Sequence, residues 1–300
     1  MARKMERKSA RILALILALI MLGSVFAYMS RGGGSQKREV ELRLNDFREY
    51  VNLTPKGAYF IEYYNMKFMS LENSDPLKTF IESKLNEALR KEVFSRKMLE
   101  IPGGISKVYV AYYYGKLPLY FVDENMSKVY FASEDTMNVD SYSIKVRPGL
   151  ALFDAISPIV LGSPSLVAEV VKIFEGKSNG IGDQTYPYLS RVNDSFYYAW
   201  FVYDGYAAAI LRTNNTTVAD FFFEGYRLNN TSSCYEKVWA VHFIGNYFFS
   251  KLNATTEYIY IKNFKDGMNV AVMGDKNFTK LAEAQPRILT YKITIEKPKE

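Results

Sequence analysis

Beyond one N-terminal transmembrane helix, this 300-residue sequence predicts an α+β fold: antiparallel sheets with helices packed on one face. Three observations predict it. Ile12 to Met29 runs without a charge behind a basic tail, two amphipathic segments open with Asp-Pro and Ser-Pro, and short aromatic or β-branched runs alternate with Gly-containing turns.

Residues 1–11 form a basic tail with Arg3, Lys4, Arg7, Lys8 and Arg11, and residues 12–29 are the apolar segment. At 1.5 Å per residue a helix of that length covers about 27 Å, close to the ~30 Å hydrocarbon core. Val25 and Ala27 also place small residues before Tyr28, so a long signal peptide is the alternative to a retained anchor. The positive-inside rule leaves the N-terminus cytoplasmic and residues 32–300 outside. Residues 30–38, with Arg31-Gly-Gly-Gly-Ser35, read as a flexible linker.

Glu39 to Asn45 and Ala58 to Leu71 read as strands, and Asp75-Pro76 opens a helix running to about Met98. Three strands then form a meander, Lys107 to Tyr114, Leu117 to Val122 and Lys128 to Ala132, followed by Ser141 to Arg147. Ser163-Pro164 opens a second helix that stops at Gly176, and three more strands start at Ser195, Tyr206 and Val218, with Asp204-Gly205 as a hairpin turn. These blocks suggest two divergent helix-plus-meander units, residues 39–160 and 161–300, spaced near 88 residues; duplication and coincidence both fit that spacing. Tyr235 to Leu252 reads as a helix, Glu257 to Asn263 and Met268 to Met273 as a hairpin around Asp266-Gly267, and Ile288 to Ile295 as a closing strand.

Composition limits the function classes. The formal net charge is +6, but residues 1–31 hold six basic residues and one acidic residue, which leaves about +1 for the rest. No basic footprint for nucleic acid remains. A single cysteine, Cys234, excludes an internal disulfide, so an exported domain must rest on packing. Few cysteines, abundant tyrosine and export suit a prokaryotic surface protein.

Asn-x-Ser/Thr begins at Asn52, Asn125, Asn193, Asn214, Asn215, Asn229, Asn230, Asn253 and Asn277, all on the outer side of the apolar segment. The motif marks exposed loops of exported chains, although turn chemistry alone also gathers Asn with Ser and Thr. His242 is the only histidine, and it sits in an aromatic run where a packing role outweighs a catalytic one. Cys234 has no activating motif beside it. Asp123-Glu124, Glu134-Asp135 and Asp183 lack calcium-loop spacing and read as turn carboxylates, so neither metal nor cofactor is expected. Gly180-Ile181-Gly182-Asp183 shares its letters with the Gly-x-Gly-Asp string of intramembrane aspartyl proteases, but one span cannot supply their two aspartates; a tight loop is the better reading.

Tyrosine clusters at Tyr63-Tyr64, Tyr112 to Tyr114 and Tyr197-Tyr198 place at least one ring of each toward solvent if they lie on half-buried strands. Together these features point to a membrane-anchored extracellular glycoprotein that binds a protein or glycan partner or builds an envelope, with no catalytic residues. A tethered hydrolase using carboxylates and an accessory subunit of a membrane complex are the alternatives.

Overall fold

The computed structural model describes residues 41–44, 47–89, 93–94, 99–101, 104–124, 129–192, 196–213, 216–252 and 255–290. The basic tail, the apolar segment and the linker lie outside them. Among the described residues no helix is long and apolar enough to cross a membrane. Residues Glu39–Glu300 cluster as one compact unit.

Twelve strands make one sheet: β1 Phe60–Asn65, β2 Ile105–Tyr112, β3 Leu119–Glu124, β4 Asp135–Val139, β5 Tyr142–Arg147, β6 Leu150–Phe153, β7 Ile159–Gly162, β8 Ala199–Asp204, β9 Ala219–Asn229, β10 Cys234–Phe243, β11 Tyr258–Asn263 and β12 Met268–Asp275. Their spatial order is β11-β12-β10-β9-β8-β1-β2-β3-β7-β6-β5-β4, antiparallel throughout. Strands from residues 60–162 therefore fill one half of the sheet and strands from 199–275 the other. The halves join where β1 pairs with β8.

Among the described residues five α-helices cover the sheet: α1 Phe47–Leu53, α2 Pro76–Ala88, α3 Pro164–Phe174, α4 Gly182–Leu189 and α5 Phe278–Glu283. They lie on both faces, which corrects the one-face expectation. Ile61, Tyr63, Tyr109, Trp200, Val202 and Phe223 pack beneath α1, α3 and α4. Tyr64, Val108, Val110, Tyr120, Phe201 and Tyr226 pack beneath α2 and α5. Both parities of the central strands are apolar, so each face must be covered to keep it from water.

The two Pro-opened helices form as expected. Asp75 Oδ1 accepts from Leu77 N at 2.8 Å, and Leu77, Ile81, Leu85 and Ala88 make the buried stripe of α2. This helix stops at Ala88, ten residues short of the expected end. Ser163 does not cap α3 with its side chain; its Oγ instead accepts from Leu117 N at 3.0 Å. Gly176, at φ +73°, follows α3 in the left-handed conformation expected of a stop.

Four other expectations change. Tyr235 to Leu252 is β10 plus a strand at Tyr247–Ser250, because a strand buried on both faces loses the period-2 pattern and its apolar run passes for a helix. Tyr206 begins no strand: Gly205–Ile210 is a 3-10 helix, and Asp204 accepts from Gly205 N at its start instead of turning a hairpin. Tyr130–Phe131 pairs with Leu99–Glu100 outside the main sheet, so the first meander has two strands in that sheet before β4. Gly180 to Asp183 leads into α4 rather than standing as a loop. A Cβ on Gly180 would lie 2.0 Å from the Asn52 carbonyl oxygen, so the glycine admits the α1 backbone.

A similar order of elements occurs twice along the sheet, out of step with the expected spacing: α1, β1, Met66–Ser70, then α2 and β2–β3, and α4, β8, Gly205–Ile210, then β9–β10 without a helix between. Asn65 and Asp204, 139 positions apart, each accept a backbone N–H at the start of their 3-10 turn. Glu62 and Phe201, also 139 apart, face each other across the β1–β8 ladder, where a local two-fold axis would pass.

Candidate functional site

At the start of β1 the sheet ends in a cleft of about 470 Å³ lined by Tyr59, Tyr114, Tyr206, Ala207, Ala209, Ile210 and Arg212. Each wall follows from the fold. Tyr59 leads into β1 and Tyr114 trails β2, and antiparallel pairing of those strands brings the two rings into a stack with centroids 4.2 Å apart. The 3-10 turn after β8 supplies Tyr206 and Ile210. Arg212 follows, its Nε donating to Ala209 O at 3.0 Å. Tyr206 is 82% exposed, Tyr114 68% and Ile210 62%, so three large apolar groups face water around one hollow. Isolated exposed apolar residues need no explanation, whereas a grouped patch marks a contact surface.

Between this cleft and the far end of the sheet lies the carboxyl of Glu62, 7% exposed. Burial raises its pKa to about 7, against hydrogen bonds from Tyr112 and Tyr64 that favour the carboxylate. Tyr112 Oη donates to Glu62 Oε2 at 2.9 Å. On the same face, across Phe201, stands Glu224, which accepts from Tyr226 Oη at 2.5 Å and pairs with buried Lys237 at 3.2 Å. Lys237 Nζ also donates to Ala282 O and Ala284 O at the end of α5, at 2.7 and 3.2 Å. Burial lowers the pKa of that ammonium, with Glu224 acting in the opposite sense.

Sequence comparison places the chain among relatives. The AF_2048_N family N-terminal domain matches residues 43–175. A protein of Archaeoglobus fulgidus, described as an uncharacterized protein, is 50% identical over 299 residues, which is 98% of this chain and 97% of the relative. This chain belongs to that family. No solved structure matches it. The archaeal source of the relative is in keeping with the prokaryotic origin expected from composition.

In this family member, four of the nine Asn-x-Ser/Thr motifs start within the described residues. Asn52 lies in α1 rather than in a loop; its side-chain oxygen sits where a Cβ on Gly182 would stand 2.0 Å away, and Thr54 of the same motif is buried. Asn229 ends β9 and its amide is fully used, Nδ2 donating to Glu236 at 2.9 Å and Oδ1 accepting from Thr231 N at 3.0 Å. Asn230 is exposed in the turn that follows. Asn277 is exposed and caps α5, accepting from Lys280 N at 3.2 Å. Asn125, Asn193, Asn214, Asn215 and Asn253 lie outside the described residues.

Of the tyrosine clusters, only the second puts a fully exposed ring at the cleft. Tyr112 is half-buried, Tyr113 is buried with its hydroxyl on Pro55 O at 2.8 Å, and Tyr114 is exposed. Tyr63 and Tyr64 are both buried, as is Tyr197, because β1 and β8 are central strands covered on both faces. His242 Nδ1 stands 2.5 Å from Asp220 Oδ1 and Nε2 stands 3.1 Å from Asp266 O. Both ring nitrogens face acceptor oxygens, so neither is directed at a nucleophile. Cys234 is buried, its sulfur 3.6 Å from Glu257 Oε2. Asp123 and Glu134 pair with Lys107 and Arg147 at 3.6 and 3.8 Å. Tyr206, Ile210 and Arg212 were missed in the sequence, since a 3-10 turn has no periodicity to reveal which side chains it exposes.

Proposed function

We propose that this protein is a non-catalytic binding protein, held at the outer surface of a membrane by residues 12–29, which engages a protein or glycan partner through the Tyr59–Tyr114–Tyr206 cleft. The observation that carries this reading is the grouping of Tyr114, Tyr206 and Ile210, all exposed, around a hollow with Arg212 at its rim. Tyrosine combines a large apolar ring with a hydroxyl, which suits contacts that must form from water. Exposed Asn230 and Asn277 are the described positions best placed to carry glycans, which would shield other surface and leave the cleft bare.

Two measurements test it. Protease added to intact cells should release a fragment of nearly ectodomain size; protection of the whole chain would contradict the topology. Chemical crosslinking of the full-length protein in envelope fractions from its host should capture a partner that is lost in Tyr114→Ala/Tyr206→Ala while the melting curve stays put. A retained crosslink would exclude the cleft.

One observation favours the hydrolase alternative. Glu62, its pKa raised to about 7 by burial, and Glu224, paired with a cation, lie on one face two strand spacings apart, roughly 10 Å between backbones. Hydrolysis of an oligosaccharide that Glu62→Gln and Glu224→Gln each abolish would establish it. Hydrolysis that survives both changes would exclude it.

A further inference from the structure

The twelve-stranded sheet is open, so each of its two outermost strands turns one row of backbone N–H and C=O groups away from the ladder. Those strands are β11 at one side and β4 at the other, and among the described residues neither pairs with a strand on its outer edge. Such an edge accepts a further strand unless charge, proline or a bulge deters it. The two edges differ in this respect.

β4 is deterred. A second copy pairing antiparallel with it about a two-fold axis at Met137 would set the exposed carboxylate of Asp135 against Val139, and Glu134 against Asp140. Asp140, in the left-handed conformation at φ +54°, also ends the strand at once.

β11 carries no such guard. It holds no proline and runs in unbroken register with β12, and Tyr258 to Ile261 are β-branched or aromatic. Tyr258, Tyr260 and Lys262 share one face, and Ile259, Ile261 and Asn263 share the other. Tyr260 is 64% exposed, and both isoleucines are only partly covered by the core they lie on.

Residues opposite each other in an antiparallel pair must lie on the same face. A two-fold axis at Tyr260 satisfies this. It brings Tyr260 against its own copy, Ile259 against Ile261 twice, and Lys262 against Tyr258 twice, so ring meets ring, aliphatic meets aliphatic and each cation meets an aromatic residue. The Tyr258 ring is fixed beforehand by its own copy: its Oη donates to Glu236 at 2.6 Å, and it fills the space where a Cβ on Gly274 would lie 2.0 Å away. Charge agrees as well. Exposed Glu257 falls one position along from Lys262 of the other copy, and no two like charges stand opposite each other over the strand.

We propose that two copies of this chain pair edge to edge through β11, antiparallel about a two-fold axis at Tyr260, and so join two sheets into one. The pairing rests on neither the tyrosine cleft nor the membrane segment.

Sedimentation velocity of the full-length protein in detergent, over a range of concentrations, should show a monomer–dimer equilibrium. Tyr260→Lys sets two ammonium groups face to face at the axis, and it should weaken dimerisation by roughly tenfold or more while the melting curve of so exposed a position stays put. Register is read separately. A short bis-maleimide should join Tyr260→Cys into covalent dimers but not Lys262→Cys, because the two copies of position 262 stand four residues apart along the ladder, about 13 Å. The native thiol of Cys234 is buried, and the parent chain gives its background. A monomer at every concentration, as when residues 291–300 of the same chain take that edge, would overturn the proposal. So would a dimer indifferent to Tyr260→Lys, or equal crosslinking at positions 260 and 262.

Discussion

The two halves of the sheet meet at β1 and β8, which with the 3-10 turns that follow them lie 139 residues apart, and their ends differ in chemistry. Where the N-terminal half meets the turn after β8, the surface is mainly tyrosine and isoleucine, with Arg212 its one charge. Where the C-terminal half meets the turn after β1, Lys67, Arg227 and Glu236 stand beside Phe196 and Tyr198. At the axis itself Glu62 faces Phe201. The shared part is what strand pairing and two-sided burial demand: apolar residues of both parities, a polar cap at the strand end, a short 3-10 turn. The differing part lies at strand ends and one central position, where backbone geometry leaves the choice of side chain open. In this fold the layout is common to both halves and the chemistry is local.

The sharpest way to break the comparison is at the seam. Trp200 stacks on Tyr63 at 5.3 Å between centroids and is buried among Tyr109 and Phe223. Trp200→Ala should cost about 3–5 kcal/mol, and denaturant unfolding should remain a single transition because both halves lean on the same ring. Two separated transitions would show that the halves are stable apart.

Glu62 separates the halves by their response to pH. Its folded pKa of about 7 lies above the ordinary 4.5, so the folded chain holds a proton that the unfolded chain has released. That contribution is complete below about pH 4.5 and is lost as pH rises through about 7, a change on the order of 3 kcal/mol. Melting temperatures of Glu62→Gln should lose this slope between pH 4.5 and 8; the same slope in the variant would locate the titration elsewhere. The partner position, Phe201, has nothing to titrate.

At the charged end, Asn229→Ala should cost about 1–2 kcal/mol, because the amide both closes the β9–β10 turn and holds Glu236. Peptide mapping of native protein should find Asn229 bare and any sugar on Asn230. A glycan on Asn229 would mean that its bond to Glu236 is absent in the cell. The smallest effect on stability belongs to the tyrosine end, where Tyr206→Ala should stay within about 0.5 kcal/mol of the parent by denaturant titration. A larger loss would recast that ring as a structural group.

The sequence was readable where local chemistry decides the backbone. Asp75-Pro76 and Ser163-Pro164 start helices, and Asp266-Gly267 turns the β11–β12 hairpin with Gly267 at φ +86°. It misled where tertiary burial overrides the local pattern. Tyr235 to Phe243 shows no alternation because both of its faces are covered. The expected 88-residue spacing matched a strand to Tyr206, and only the cap at Asp204 shows that the chain turns there. An exposed ring somewhere in the run Tyr112 to Tyr114 was legible from the alternation of a strand; that it is Tyr114 was not. Nor was the pairing of Arg227 with Glu236, since it depends on the register of two strands nine positions apart in sequence.

The continuity of the sheet also bears on how the chain can be divided. The family's N-terminal domain ends at residue 175, between α3 and α4, and everything that pairs with the outer side of β1 lies beyond it. A chain cut there keeps seven strands but bares a six-residue ladder edge in the middle of what was a buried surface, with Tyr63 stripped of Trp200. Such an edge is a template for pairing with whatever strand arrives first, a second copy included. Residues 43–175 produced alone should therefore be sticky rather than inert, and adding back the missing segment as a separate chain should restore solubility by strand complementation.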